Sequence, residues 1–340
     1  MKRNFFQNLI SWKNGRHRKP LMVIGARQVG KTFTLEEFCE SEYGSHTTVN
    51  LFERGDIVEL YETVKTAEDR FEQLLLLLDI DPRGNDHILF VDEVQESEIF
   101  ISDLKFLNER HPDFAIVTAG SLLGVRLKRF RKSFPVGQVS FLRVHPMSFD
   151  EFLVAVGADR FIPEIQMCFE KDKPLAVAIH ERLIRYYREY LCVGGMPEFV
   201  VRYQENDCSL LGLSRSALDD IVLAYKNDMN KYVTSETEAI RIAATYDSLP
   251  AQLGNAANKF MYNRIERSAR KRTYETSIDW LIASQMIAPC HQISKPEIPL
   301  KSYKDADSFK LYLSDIGILT NELHVPFANI MGDRLGERKG

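Results

Sequence analysis

A chain of 340 residues has room for about two domains, and 44% apolar with 27% charged side chains excludes a disordered chain. The 44 basic and 48 acidic side chains leave a net charge of −4, which excludes a surface coated with nucleic acid and leaves room for a local basic patch. The longest aliphatic run, residues 74–78, is too short to cross a bilayer, and Asn4, Gln7, Asn8 and Ser11 interrupt any apolar leader, so neither a membrane partner nor export is expected.

In chain order, residues 1–147 read as short apolar strands at 21–24, 47–51, 88–91, 114–118 and 139–144, separated by amphipathic helices, one of them at 33–42. That alternation predicts an α/β fold, a parallel sheet with helices on both faces. The run 88–91 is expected beside the strand 21–24. Ser148-Phe149-Asp150-Glu151 reads as a capping box that opens a helical region, residues 148–232, broken by the turn Gly194-Gly195-Met196-Pro197. Residues 233–331 read as helix, turn, helix, strand 286–293, loop 294–299 and strand 309–313, an order that suggests a winged helix. The polar tail 332–340 is expected to fray.

The five cysteines, Cys39, Cys168, Cys192, Cys208 and Cys290, are odd in number and never spaced CxxC, so they predict reduced thiols in a cytoplasm and no zinc or disulfide framework. The eight histidines form no metal-binding pair.

Gly25-Ala26-Arg27-Gln28-Val29-Gly30-Lys31-Thr32 fits GxxxxGK(S/T), between the first strand and the helix that begins near Phe33. Backbone N–H groups in such a loop cradle phosphates, the helix N-terminus favours negative charge, Lys31 reaches the β- and γ-phosphates, and the Thr32 hydroxyl ligates magnesium. Residues 25–33 are therefore the expected nucleotide contacts. The apolar run Ile88-Leu89-Phe90-Val91 then delivers Asp92, expected on magnesium, and Glu93, expected as the base for an attacking water. Thr118-Ala119-Gly120-Ser121 ends the fourth strand at the edge where open α/β sheets bind ligands, so Ser121 or Thr118 is either a γ-phosphate contact or an ordinary turn residue. No Asn-Lys-x-Asp base-recognition motif follows, which favours adenine over guanine. The cofactors expected are ATP and Mg2+.

Several ordered motifs carry a family resemblance. The loop with Arg27-Gln28-Val29, then Val91-Asp92-Glu93-Val94-Gln95, Thr118-Ala119-Gly120-Ser121-Leu122-Leu123, Phe134-Pro135-Val136-Gly137, Pro146-Met147-Ser148-Phe149-Asp150-Glu151-Phe152, Val193-Gly194-Gly195-Met196-Pro197 and the segment 309–317 together resemble the prokaryotic AAA-type P-loop ATPases that carry a C-terminal domain of unknown function. The resemblance implies ATP binding with magnesium, hydrolysis and a fold similar to origin-recognition ATPases. By the same resemblance the 194–197 turn is a hinge or lid junction; read from the residues alone it is a tight interhelical turn. Gln138 stands where such proteins carry a basic residue. The family's usual endonuclease-like domain would start about where this sequence stops, so no nuclease activity is expected.

Two basic runs complete the reading. Arg126, Lys128, Arg129, Arg131 and Lys132 follow the fourth strand without an acid, and Arg126 and Arg129 are candidates for an arginine that reaches a neighbour's γ-phosphate in a homo-oligomer; a solvated loop is the plain alternative. Arg264, Arg267, Arg270, Lys271 and Arg272 precede the presumed recognition helix, where cations oppose the helix dipole unless an anion such as a DNA phosphate relieves them. The functional expectation is an ATPase that couples hydrolysis to conformational change on DNA or a protein partner. Its alternative is a nucleotide-held switch or scaffold with incidental hydrolysis.

Overall fold

Five short segments, three of them continuous apolar runs, become the strands of one parallel sheet. The computed structural model describes residues 3–81, 86–128, 134–231, 233, 235–254 and 259–332. The chain divides into two compact units, Arg3–Val144 and the segment from His145 onward.

The first unit runs α1 (Phe5–Lys13), β1 (Leu21–Gly25), α2 (Lys31–Glu42), β2 (Ser45–Asn50), α3 (Gly55–Thr63), α4 (Ala67–Leu77), β3 (His87–Asp92), α5 (Glu98–Arg110), β4 (Ala115–Gly120), α6 (Leu123–Lys128) and β5 (Ser140–Val144). The sheet order is β2-β3-β4-β1-β5, with every neighbouring pair parallel. One expectation is corrected here: β3 does not lie beside β1, because β4 is inserted between them. The reason is that β1, β3 and β4 are all apolar runs buried on both faces, so hydropathy marks each as central without ranking them, whereas the outer strands β2 and β5 are largely exposed or half-exposed. Registers pairing Ile24 with Gly120 and Val91 with Thr118 bring the carboxyl ends of the three central strands to one edge. Below that edge Met22, Leu89, Val91 and Ile116 pack with Tyr61, Phe100 and Leu104. Arg70 of α4 grips Asp103 of α5 with both nitrogens, Nε to Oδ2 at 2.6 Å and Nη2 to Oδ1 at 2.9 Å, which fixes the helical layer.

The second unit contains α7 (Phe149–Ala155), α8 (Phe161–Glu170), α9 (Val177–Val193), α10 (Pro197–Glu205), α11 (Ser216–Lys231), α12 (Glu236–Gly254), α13 (Lys271–Ala283), the antiparallel ribbon β6 (Ile287–Ile293) and β7 (Lys304–Leu313), α14 (Ile316–Glu322) and α15 (Phe327–Met331). The capping box at α7 is present, with the Ser148 N–H donating to the Glu151 carboxylate at 3.0 Å. Gly194 ends α9 at φ 77°, and Pro197 opens α10 at the first helical position, where its missing N–H costs nothing. A side chain on Gly195 would meet the Met147 carbonyl at 2.1 Å, and one on Gly194 would meet Asp315 Oδ1 at 2.4 Å. Buried Asp315 accepts N–H groups from Gly195 at 2.6 Å and from Ile318 at 2.9 Å, capping α14, while the Met147 N–H donates to Gly195 O at 2.7 Å. Three segments far apart in sequence thus close on the interhelical turn. Among the described residues no helix is long and apolar enough to cross a membrane.

Candidate nucleotide site

The loop after β1 is shaped by its backbone. A Cβ on Gly25 would fall 2.6 Å from the Val144 carbonyl, so the loop leaves the sheet where only glycine fits. Gln28 (φ 64°) and Gly30 (φ 83°) are left-handed, and Gly30 precedes α2 without a side-chain cap, leaving the first N–H groups of that helix open to an anion. Ala26 and Val29 are buried, Arg27 is half-buried, and Gln28, Thr32 and Phe33 are exposed. The ammonium of buried Lys31 donates to the loop's own carbonyls, Gly25 O at 3.0 Å and Ala26 O at 2.8 Å.

Although β4 separates the two strands, the Thr32 hydroxyl donates to Asp92 Oδ2 at 2.6 Å. The other Asp92 oxygen accepts the Glu93 N–H at 2.8 Å. Glu93 itself is left-handed at φ 48° and opens a single 3-10 turn, Val94–Glu96. Within that turn the Gln95 amide donates to the Glu93 carboxylate. Gln95 is 2% exposed and its Oε1 has no hydrogen-bond partner. That oxygen lies against the end of β4, where a Cβ on Gly120 would meet it at 2.1 Å. Next along, the Ser121 hydroxyl is buried and also without a hydrogen-bond partner among the described residues, whereas Thr118 turns into the sheet and donates to Leu21 O at 3.3 Å. Of the two hydroxyls considered from sequence, only Ser121 stands free at this edge.

Arg126 lies half-buried on α6, and Arg129 lies outside the described residues. In the second unit Arg264, Arg267, Arg270 and Arg272 are exposed around the start of α13, but Lys271 is engaged by Asp307 of β7 at 2.6 Å, which raises the lysine pKa and lowers that of the aspartate.

Two residues at the loop went unread in the sequence. Arg3 is buried and donates from Nη1 to Val29 O at 2.6 Å, bracing the loop from 26 positions upstream, a separation that hides it from any motif. Gln95 had a signal, its place two residues after Glu93. The cluster assembles an uncapped helix start, a buried ammonium, a hydroxyl–carboxylate pair and a second carboxylate, the groups needed to bind a phosphate chain with a divalent cation and to orient a water.

Residues 17–153 match an AAA domain family, and residues 184–327 match a domain of unknown function (DUF8612). None of the curated proteins matches the chain. Solved structures with similarity include an Aeropyrum pernix ORC2 protein in ADPNP-ADP complexes, at 13% identity, with 97% of this chain and 92% of that one covered and a TM-score of 0.43. Another is Drosophila ORC bound to DNA, at 12% identity, with 94% and 93% covered and a TM-score of 0.37. A third is the Aeropyrum pernix ORC1 protein in complex with DNA, at 12% identity, 96% and 91% coverage and a TM-score of 0.31. Likeness at this level carries no functional weight. The two family matches, the parallel sheet and the loop after β1 give the chain an AAA domain with a P-loop, followed by a domain of unknown function.

Proposed function

We propose that the chain binds ATP with Mg2+ at residues 25–33 and hydrolyses it. The observation that carries this reading is the 2.6 Å bond between Thr32 and Asp92, which pairs a hydroxyl and a carboxylate beside the loop and sets Glu93 next to them. Thr32 and Asp92 would hold the metal, which would supply positive charge to offset that of the phosphates. Lys31 leaves its two carbonyl partners for the phosphates, and the open N–H groups of α2 receive them. Glu93 holds the attacking water as the base, and Ser121 offers a free hydroxyl from the neighbouring strand. Arg126 and Arg129 are the proposed contacts to a neighbouring copy's nucleotide.

Hydrolysis in this reading drives rearrangement of the second unit on DNA or a protein partner. Support for DNA comes from four exposed arginines, Arg264, Arg267, Arg270 and Arg272, at the start of α13, ahead of the ribbon that gives 233–331 its winged-helix-like order. Free cysteines suit a reducing cytoplasm. Phosphate release by the full chain, wild type against Glu93→Gln, tests the proposal. Turnover should fall by about 10²-fold or more with ATP affinity retained. Equal turnover in both would refute the role of Glu93, and ATP binding without turnover in the wild type would leave the switch reading in its place.

A further inference from the structure

The end of α1 and the segment that leads to β1 carry Lys13, Arg16, His17, Arg18 and Lys19 within seven residues and no acid. All five line a recess of about 390 Å³, closed on the other side by Asn108, Pro112 and Asp113. Because the segment precedes β1 and the nucleotide loop follows it, the recess lies at the opposite edge of the sheet from residues 25–33.

Arg18 and Lys19 are held by carbonyls without being neutralised, whereas Lys13 also faces the Glu42 carboxylate. Arg18 Nη2 donates to Asp113 O at 2.6 Å with its guanidinium 5.6 Å from the Trp12 ring centroid, Lys19 Nζ donates to Gly137 O at 2.6 Å, and Lys13 donates to the Glu42 carbonyl. A carbonyl orients a cation and leaves its charge in place. The carboxylates at hand are Glu42, 3.5 Å from Lys13, and Asp113 in the wall. Lys13, Arg16, Arg18 and Lys19 against Glu42 and Asp113 leave an excess of two positive charges, and among the described residues neither Arg16 nor His17 has a hydrogen bond or ion pair. Concentrating like charges in a concavity is unfavourable unless an anion fills it. Pro112 is the one apolar lining side chain, so the recess offers nothing for a base or an acyl chain to lie on. The lining reads charge, and planar guanidinium donors match phosphate oxygens.

We propose that this recess is a phosphate-binding site, separate from the nucleotide loop, that takes backbone phosphates of a nucleic-acid strand. Arg16 is the residue to change, since it is exposed, carries no partner and stands outside the nucleotide machinery. The full-length chain, its Arg16→Glu variant and an Arg264→Glu/Arg267→Glu variant are titrated with a short fluorescent duplex from about 50 to 200 mM salt, and inorganic pyrophosphate, added with the 25–33 loop already saturated by ADP, is scored by thermal shift. For Arg16→Glu the expected result is an affinity loss of at least about tenfold and a salt slope smaller by about one, the contribution of one neutralised phosphate. ATP turnover should be unchanged, which reports an intact fold. Retained DNA binding with loss of the pyrophosphate shift upholds the phosphate site and reassigns its ligand to a free polyphosphate. Arg16→Glu behaving as wild type toward both probes overturns the proposal, as does DNA binding that depends on the second-unit arginines alone with no pyrophosphate effect. Neither result bears on ATP hydrolysis at residues 25–33.

Discussion

Replacing Gly120 by alanine tests whether the end of β4 controls the base. The added Cβ would lie 2.1 Å from Gln95 Oε1, 3.3 Å from Gln95 Cδ and 3.4 Å from Leu123 Cβ. Gln95 is buried at 2% exposure, so its amide yields by swinging away from Glu93 rather than into solvent. Moving a side-chain end is cheap, and the stability cost should sit near the low end of overpacking, about 1 kcal/mol. Function should suffer more. A positioned general base contributes roughly 10²–10⁴ in rate, and misplacing a group by about 1 Å costs about 10². Turnover at saturating ATP should therefore fall by about 10²-fold, while ATP affinity stays within about twofold because no atom of the 25–32 loop is touched. Phosphate release, equilibrium nucleotide titration and urea unfolding separate the three quantities. In the double variant Gly120→Ala/Gln95→Ala the clash is gone but so is the amide, so stability should recover and turnover should remain low. Wild-type turnover in folded Gly120→Ala, or recovery of turnover in the double variant, would refute the reasoning.

Two further outcomes follow from buried titratable groups. Burial pushes the Asp315 carboxyl above its ordinary range, although both its oxygens accept backbone N–H groups. Asp315→Asn would set an amide N–H₂ against one of those donors and should cost about 1–3 kcal/mol in urea unfolding of the full chain; an unshifted midpoint would contradict this account. His87 is held below 6.5 by burial first and by His46 second, so between its lowered value and 6.5 the unfolded chain binds more protons than the folded one. Stability should rise with pH through that window, and the loss on acidification should level off below it, where both states carry the proton. His87→Gln should flatten this part of the melting-temperature profile, and an identical slope in the variant would exclude His87 as its source.

The parts of the site legible in the sequence are those whose groups are contiguous. Residues 25–32 announce their chemistry because one backbone loop supplies it, and Asp92-Glu93 stands out because an apolar strand ends there. Strand order was not legible: a strand buried on both faces looks the same beside any neighbour, so the insertion of β4 and the meeting of Gln95 with Gly120 had no local signature. Arg3 was hidden by distance along the chain, and the engagement of Lys271 by Asp307 required the ribbon's register. In the second unit the ribbon was foreseen, but β7 begins at Lys304 rather than 309 because Lys-Asp-Ala-Asp-Ser is exposed and gives no apolar signal. The motifs at 146–152, 193–197 and 309–317 were each visible, and their convergence was not.

That convergence sets where the molecule can be cut. The matched region 184–327 excludes Met147, yet the Met147 carbonyl accepts the Tyr190 hydroxyl at 2.7 Å and its N–H donates to the Gly195 carbonyl, inside the same sealed turn that Asp315 closes from the far side. A fragment begun at the edge of the sequence match would expose the Gly195 carbonyl and the Tyr190 hydroxyl together, and one ended before Asp315 would strip the acceptor from the Gly195 N–H. The matched stretch is shorter than the stretch whose hydrogen bonds close on this turn.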